Sequence, residues 1–239
     1  MKLLHNIYQV AGPGMSHGFD ATAYLLKGKE GWFLIDCGTP EGYEQMKENI
    51  RKAGADPAQI RLILGTHGHY DHVGAAHLWR EEFGCRLLLH ERDIPQVEEG
   101  NSEMTSASLL YGTKSVPCKV DGEIKDADTW QGDGLTIRAV YTPGHTMGSV
   151  SFAVEADGYD LLIAGDALWG GYSEKTGSDE AAWRESLDKL TSMHFDFYTF
   201  GHVNAQLIAD ADRRLREAKM AFANYYNPWF KTFFEEYHY

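Results

Sequence analysis

At 239 residues, with 43% hydrophobic and 24% charged side chains, the chain has the make-up of one ordinary globular domain with a proper core. A formal charge of −13 argues against a nucleic-acid partner, which needs a basic field, although any carboxylate that ligates a metal is counted in that total. Cys37, Cys85 and Cys118 are odd in number and far apart, which leaves out a disulfide framework and a thiolate metal site and fits a reducing compartment.

The opening MKLLHNIYQVAG lacks the apolar core of a signal peptide, and no stretch reaches the apolar length of a membrane span. A soluble cytoplasmic protein is expected. Leu3 to Val10 reads as a first strand, followed by a Gly-rich loop, Ala11 to Asp20, that carries His17. Ala23 to Leu26 and Trp32 to Ile35 read as strands joined by a turn. Residues 41 to 53 read as a helix between Pro40 and Gly54. Ile60 to Leu64 is a short apolar run of buried-strand type, and Gly74 to Phe83 has helical character. Arg86 to His90 is a further strand. Residues 91 to 117 form an irregular insertion with a helical patch at Ser106 to Tyr111, and so read as a lid-like segment over a site. Strands are expected at Leu135 to Tyr141, Val150 to Val154, Asp160 to Ala164 and Phe195 to Phe200. An amphipathic helix over 179 to 191, capped by Ser178, lies before the last of them. From Asn204 to Tyr239 the chain reads as helical and becomes densely aromatic. No internal repeat or linker interrupts it, so residues 1 to 239 are taken as a single domain with helices outside paired sheets.

Between the strand at 60–64 and the helix at 74–83 lies Thr66-His67-Gly68-His69-Tyr70-Asp71-His72. Loops at strand ends are where a rigid scaffold presents chemistry. An extended backbone turns His67 and His69 to one side, Asp71 continues the alternation, and His72 breaks it. That arrangement suits two adjacent metal positions better than one. Imidazole and carboxylate together suit zinc, iron, manganese or nickel. A single histidine in such a loop is ordinarily just solvated, but the dense H-x-H-x-D-H cluster makes that reading improbable. Three later positions, His145, Asp166 and His202, each follow the end of an expected strand beside a glycine that allows a tight turn.

H-x-H-x-D-H, then T-P-G-H-T-x-G-S, then G-D, then G-H resembles the ordered motif set of the metallo-β-lactamase superfamily, and Leu34-Ile35-Asp36-Cys37-Gly38 resembles its early strand end. The motifs span residues 32 to 202. The resemblance implies an α+β four-layer αβ/βα sandwich, the metallo-β-lactamase fold, with metals at one edge. It implies that His67, His69 and His145 bind a first metal, Asp71, His72 and His202 a second, and that Asp166 bridges them. Asp36 would support the ligand loop through hydrogen bonds. The cofactors implied are two divalent ions, zinc first, with iron or manganese as alternatives.

With those cofactors, the expected function is hydrolysis of a small ester, lactone, thioester or amide by a metal-bridging hydroxide, with Asp71 orienting it. Tyr172 is the best sequence candidate for a general acid, with pocket wall as its plainer reading. N-acyl homoserine lactonases of the superfamily carry a Tyr where Trp169 stands here, which weakens a lactonase assignment. Trp169, Tyr172 and His17 are the candidate substrate contacts, His17 being equally an ordinary turn residue. The alternative function is a mononuclear-iron persulfide dioxygenase-like redox enzyme. A nuclease is opposed by the acidic charge, and β-lactam hydrolysis by the lack of a signal peptide. His5, His77, His90, His194 and His238 match no motif. Partners are expected to be a small-molecule substrate and a second copy in a homodimer, with packing the plainer role for the aromatic tail.

Overall fold

The computed structural model describes residues 1–168, 170–202 and 207–222. Its strands form two sheets. The first contains β1 (Lys2–Leu4), β2 (Ile7–Ala11), β3 (Ala23–Lys27), β4 (Trp32–Ile35), β5 (Ile60–Leu64), β6 (Arg86–Leu89) and β7 (Gly122–Glu123), in that spatial order. β1 to β4 pair antiparallel, and β4 to β7 pair parallel. The second contains β8 (Thr129–Gln131), β9 (Leu135–Tyr141), β10 (Val150–Ala156), β11 (Tyr159–Ile163), β12 (Phe197–Thr199) and β13 (Ile208–Ala209), again in order across the sheet. Only β11 and β12 pair parallel within it.

The period-two alternation of strands distributes the apolar residues between two faces. Tyr24 and Leu26 of β3, with Leu62 and Leu64 of β5, face the second sheet and meet Ile137, Phe152, Val154 and Ile163. The intervening Leu25 and Ile63 point to the other side, where they join Met46, Ile50 and Trp79. These belong to α1 (Tyr43–Lys52) and α3 (Ala76–Phe83). On the far face of the second sheet, Val140 and Leu162 pack with Trp183, Leu187 and Leu190 of α6 (Glu180–Thr191) and Leu215 of α7 (Ala211–Phe222). Helix, sheet, sheet and helix therefore stack around three apolar clusters, the expected four-layer αβ/βα sandwich. Strands covered on both faces carry consecutive apolar residues, as Leu62 to Leu64 of β5 and Leu161 to Ile163 of β11 do.

Several boundaries move. The expected strand Leu3 to Val10 is a hairpin, because Asn6 adopts φ 62° and turns the chain between β1 and β2. Leu34-Ile35 ends β4 as read, and Asp36 turns the chain with φ 58°. The cap of α6 is Asp179, which accepts the Ala182 amide at 2.8 Å. Ser178 instead donates its hydroxyl to the His145 carbonyl at 2.6 Å. Segment 91–117 contains two short helices, α4 (Ile94–Glu98) and α5 (Ala107–Leu110). Of the expected C-terminal helix, Ala211 to Phe222 is helical, and the aromatic residues beyond it lie outside the described residues. No helix among the described residues is long and apolar enough to cross a membrane.

Candidate metal centre

The candidate ligands converge at one edge of the sandwich because each follows the C-terminal end of a strand: the 66–72 loop follows β5, His145 follows β9, Asp166 follows β11 and His202 follows β12. Thr66 to Gly68 are bent, and His69 has an extended backbone. Tyr70 to Val73 form a helical turn, α2, with His69 at its N-cap, so Asp71 and His72 are placed by helical rather than alternating geometry.

The rings crowd together. His67 lies 4.6 Å from His69, 4.0 Å from His72 and 4.7 Å from His145, centroid to centroid. His145 Nε2 faces His69 Nδ1 at 3.0 Å. One Asp166 oxygen lies 3.2 Å from His72 Nε2, and the other lies 3.0 Å from His202 Nε2 and 3.4 Å from His145 Nε2. Asp71 reaches His202 Nε2 at 3.5 Å. The ligand-type atoms of His67, His69 and His145 all lie within 4.8 Å of one another, and the same holds for His67, His72 and Asp166 and for Asp71, His72 and His202. All seven expected ligand positions are thus brought into one cluster, and Asp166 stands between the two histidine groups.

The outer edges of the rings are held, which fixes where the inner edges point. Asp36 accepts the Thr66 amide at 2.7 Å and the Thr66 hydroxyl at 2.8 Å, and its other contact is His72 Nδ1 at 2.7 Å. It stays outside the cluster and bonds to the loop that carries it. His145 Nδ1 donates to the Gly171 carbonyl at 2.8 Å. Gly201 leaves room for the Asp166 carboxylate: a Cβ there would lie 1.9 Å from Asp166 Oδ1.

Inside, His67 Nε2, His69 Nε2, His72 Nε2 and Asp166 Oδ1 are buried without a hydrogen bond, the last two facing each other at 3.2 Å. Orphaned polar atoms of this kind are costly unless something binds them. Burial, with His72 beside it, holds the His67 imidazole well below its ordinary pKa, and burial with His145 beside it does the same for His69. Burial opposes a charge on His72, yet Asp166, Asp36 and Asp71 hold it well above the usual value. Burial likewise opposes the charge on Asp166, which His202, His72 and His145 nonetheless keep well below the carboxylate range. The neutral imidazoles of His67 and His69 and the ionised carboxylate of Asp166 beside them are the donor types that divalent cations take.

Of the other sequence candidates, His17 is half-buried and sits edge-on to Phe19, with centroids 4.9 Å apart, outside the cluster. Tyr172 packs against the core around α6. Trp169 lies outside the described residues.

Two residues escaped the sequence reading, both in segment 91–117. Asp93 is buried and accepts the Gly68 amide at 2.8 Å, the Thr146 hydroxyl at 2.8 Å and the Gly148 amide at 3.0 Å. It thereby joins the His67–His69 loop to the His145 loop. Tyr111 packs its ring against Tyr70 and Phe19, and burial, followed by the charge of Asp71, pushes its pKa up. Neither belongs to a local motif. The only sequence signal was the insertion itself.

The model of the metallo-beta-lactamase superfamily matches residues 18–202. A probable metallo-hydrolase of Methanocaldococcus jannaschii is 31% identical over 160 residues, covering 64% of this chain and 69% of that protein. A hydroxyacylglutathione hydrolase of a Bradyrhizobium species is 29% identical over 182 residues, covering 72% of this chain and 62% of that protein. A subclass B3 metallo-beta-lactamase of Bradyrhizobium japonicum superposes with a TM-score of 0.76 at 24% identity, over 93% of this chain and 90% of that one, a likeness of fold. With the matched region running from the loop before β3 to the last candidate ligand, the chain belongs to the metallo-beta-lactamase superfamily.

Proposed function

We propose that this hydrolytic metalloenzyme binds two divalent ions, zinc first, and cleaves a small ester, lactone, thioester or amide in the cytoplasm. His67, His69 and His145 would hold one ion, Asp71, His72 and His202 the other, and Asp166 both. The observation that carries this reading is the convergence of ligand-type atoms of His67, His69, His72, His145, His202, Asp71 and Asp166, with the buried Nε2 atoms of His67 and His69 left without a hydrogen bond. When bound, such ions supply Lewis acidity toward a carbonyl oxygen and a water acidified toward neutral pH.

The chain's own residues do the positioning. Asp36, by accepting from His72 Nδ1, fixes the tautomer that leaves Nε2 facing inward. Gly171 does the same for His145 through its carbonyl. Asp71 faces the cluster beside His202, where its carboxylate can accept a hydrogen bond from the attacking water and orient it. No serine or cysteine nucleophile is required, and Cys37, Cys85 and Cys118 are buried and unpaired, in keeping with a reducing compartment. The relatives named for metallo-hydrolase and hydroxyacylglutathione hydrolase activity support the carbonyl-substrate class.

The test is metal content by elemental analysis on protein purified without added metal, then a panel of lactones, thioesters, esters, β-lactams and phosphodiesters. About two equivalents of metal and turnover of a carbonyl substrate are expected. One equivalent of iron, with oxygen consumed in the presence of a persulfide, would overturn the reading in favour of a dioxygenase.

A further inference from the structure

The candidate ligands of each metal position come from both sheets, so the loops of the two sheets have to be held in register. For His67, His69 and His145 the link is Asp93, which bonds to Gly68 on one side and to Thr146 and Gly148 on the other. A second link lies at Asp71, His72 and His202. It is the stretch Ala21-Thr22, just before β3. The Ala21 amide donates to the Asp71 carbonyl at 3.1 Å, and the next amide, of Thr22, donates to the Gly201 carbonyl at 2.7 Å. The Thr22 hydroxyl donates to the Phe200 carbonyl at 2.7 Å. Two consecutive residues therefore bond both to the first-sheet turn that carries Asp71 and to the two residues that precede His202.

The stretch is itself fixed. The preceding Asp20 is buried and accepts the Thr39 amide at 2.8 Å and the Thr39 hydroxyl at 2.6 Å. A Cβ on Gly42 would lie 1.8 Å from Asp20 Oδ2, so the glycine makes room for this carboxylate. Beyond Thr22, the Tyr24 phenol donates to the Thr22 hydroxyl oxygen at 3.0 Å, which leaves the Thr22 proton for the Phe200 carbonyl. Thr22 and Tyr24 are 3% and 2% exposed, so water does not replace these bonds. The backbone they hold is tied on its other side as well: the Gly201 amide donates to the Gly165 carbonyl at 2.8 Å, next to Asp166. A shift of residues 200–201 would therefore move His202 relative to Asp71, whose carbonyl the same stretch holds.

We propose that Thr22 is a positioning residue for the second metal position: its hydroxyl fixes the Phe200–Gly201 backbone that presents His202, in register with the Asp71 backbone held by the neighbouring Ala21 amide. The two positions then have separate links, Asp93 for the first and Thr22 for the second, so loosening one should spare the other. This rests on the ligand assignment made above.

Thr22→Val removes the hydroxyl at nearly constant shape, and Thr22→Ser keeps it. Zinc is titrated into the purified full chain against a chromophoric chelator, and long-range proton–nitrogen NMR spectra of the imidazoles show which rings bind it. In the wild type, ring nitrogens of both histidine groups should respond. In Thr22→Val the ion bound by His72 and His202 should weaken about tenfold, with the ion bound by His67, His69 and His145 within about twofold, and Thr22→Ser should restore the wild-type affinities. A lower thermal midpoint in Thr22→Val with both zinc affinities unchanged makes Thr22 a packing residue and overturns the proposal, while the hydrolase reading stands. Equal weakening of both ions, or a Thr22→Ser as weak as Thr22→Val, overturns it too. A wild type whose His202 ring does not respond to zinc sinks the ligand assignment, and the proposal with it. Should Thr22→Val not fold, exchange of the Thr22 amide in the wild type decides. Slowing of about tenfold on zinc binding supports the link, and an unchanged rate overturns it.

Discussion

Four candidate ligands come off one loop of the first sheet, between Thr66 and His72, while the second sheet supplies His145, Asp166 and His202 one at a time, at the ends of β9, β11 and β12. In the first half the geometry is more local. A single helical turn and Asp36, at the end of the neighbouring β4, set the loop, and segment 91–117 adds the contacts of Asp93 with Gly68 and of Thr105 with Tyr70. In the second half it is relayed through the fold. His145 depends on Gly171 and Ser178, and the Ser186 hydroxyl of α6 donates to the Pro143 carbonyl at 2.6 Å. The contrast teaches that damage to the first half should disturb the site with little change in stability, whereas damage to the second should disturb both.

Asp166 offers the severest test of that contrast, since its oxygens serve both histidine groups. Asp166→Ala should lower kcat/KM by about 10³-fold, the equivalent of the several kcal/mol a Lewis acid contributes, and elemental analysis should show metal lost from both positions. Gly201 packs tightly on that carboxylate, so the thermal midpoint should shift as well. Retention of two equivalents by Asp166→Ala would show that the halves hold their ions independently.

Asp93 sharpens the comparison because it crosses it: Gly68 belongs to the first half, Thr146 and Gly148 to the second. An amide at this position presents donors to donors. Asp93→Asn should therefore cost about 1–3 kcal/mol in denaturant unfolding and about ten- to a hundredfold in metal affinity or activity. Asp36→Asn, confined to the first half, is the control. Its metal affinity should fall comparably, through mis-set His72, with the smaller stability loss. Equal stability losses in the two variants would erase the local-versus-relayed distinction.

The same distinction explains what could be read from the sequence. The four-layer sandwich was legible because strands buried on both faces carry consecutive apolar residues, as Leu62 to Leu64 do, and helices such as α6 bury residues at helical spacing. His67, His69, Asp71 and His72 were legible from the dense H-x-H-x-D-H run, and His145, Asp166 and His202 because each sits beside a strand end and a glycine. Asp93 and Tyr111 were not, since their partners lie 25 or more positions away, and a lone Asp or Tyr in a polar insertion carries no periodicity. Ser178 was misread as a helix cap because Ser and Asp are both good caps. Only the tertiary structure shows Ser178 spent on the His145 carbonyl and Asp179 on the helix. The turn at Asn6 and the helical placement of Asp71 were missed for a related reason: a single residue in the left-handed region, or a four-residue helix, is too short to leave a pattern.

The smallest expected effect tests whether relayed support extends beyond the ligands' own contacts. His194 stands before β12, and His202 follows it. The His194 Nδ1 lies 2.8 Å from Asp212 on α7, and Asp212 also accepts the Phe195 amide at 2.8 Å. The hydrogen bond and charge of Asp212 raise the His194 pKa, while Asp212 is held below its ordinary range despite the cost of burial, by the Phe195 amide and His194. A histidine whose pKa is raised on folding stabilises the fold fully below its unfolded pKa, and that contribution disappears as pH rises through the folded value. The Asp212 contribution runs the other way and is lost only as pH falls below the carboxylate range. The pair therefore favours folding between those limits. Raising pH from about 6 to 8 should lower the thermal midpoint slightly in the wild type, and His194→Gln should flatten that slope. The pair is solvent-exposed, so high salt should weaken the effect. If His194→Gln also lowers the affinity for one metal ion, docking of α7 is part of what sets His202 in place; if it changes only the pH slope, the relayed support stops at β12.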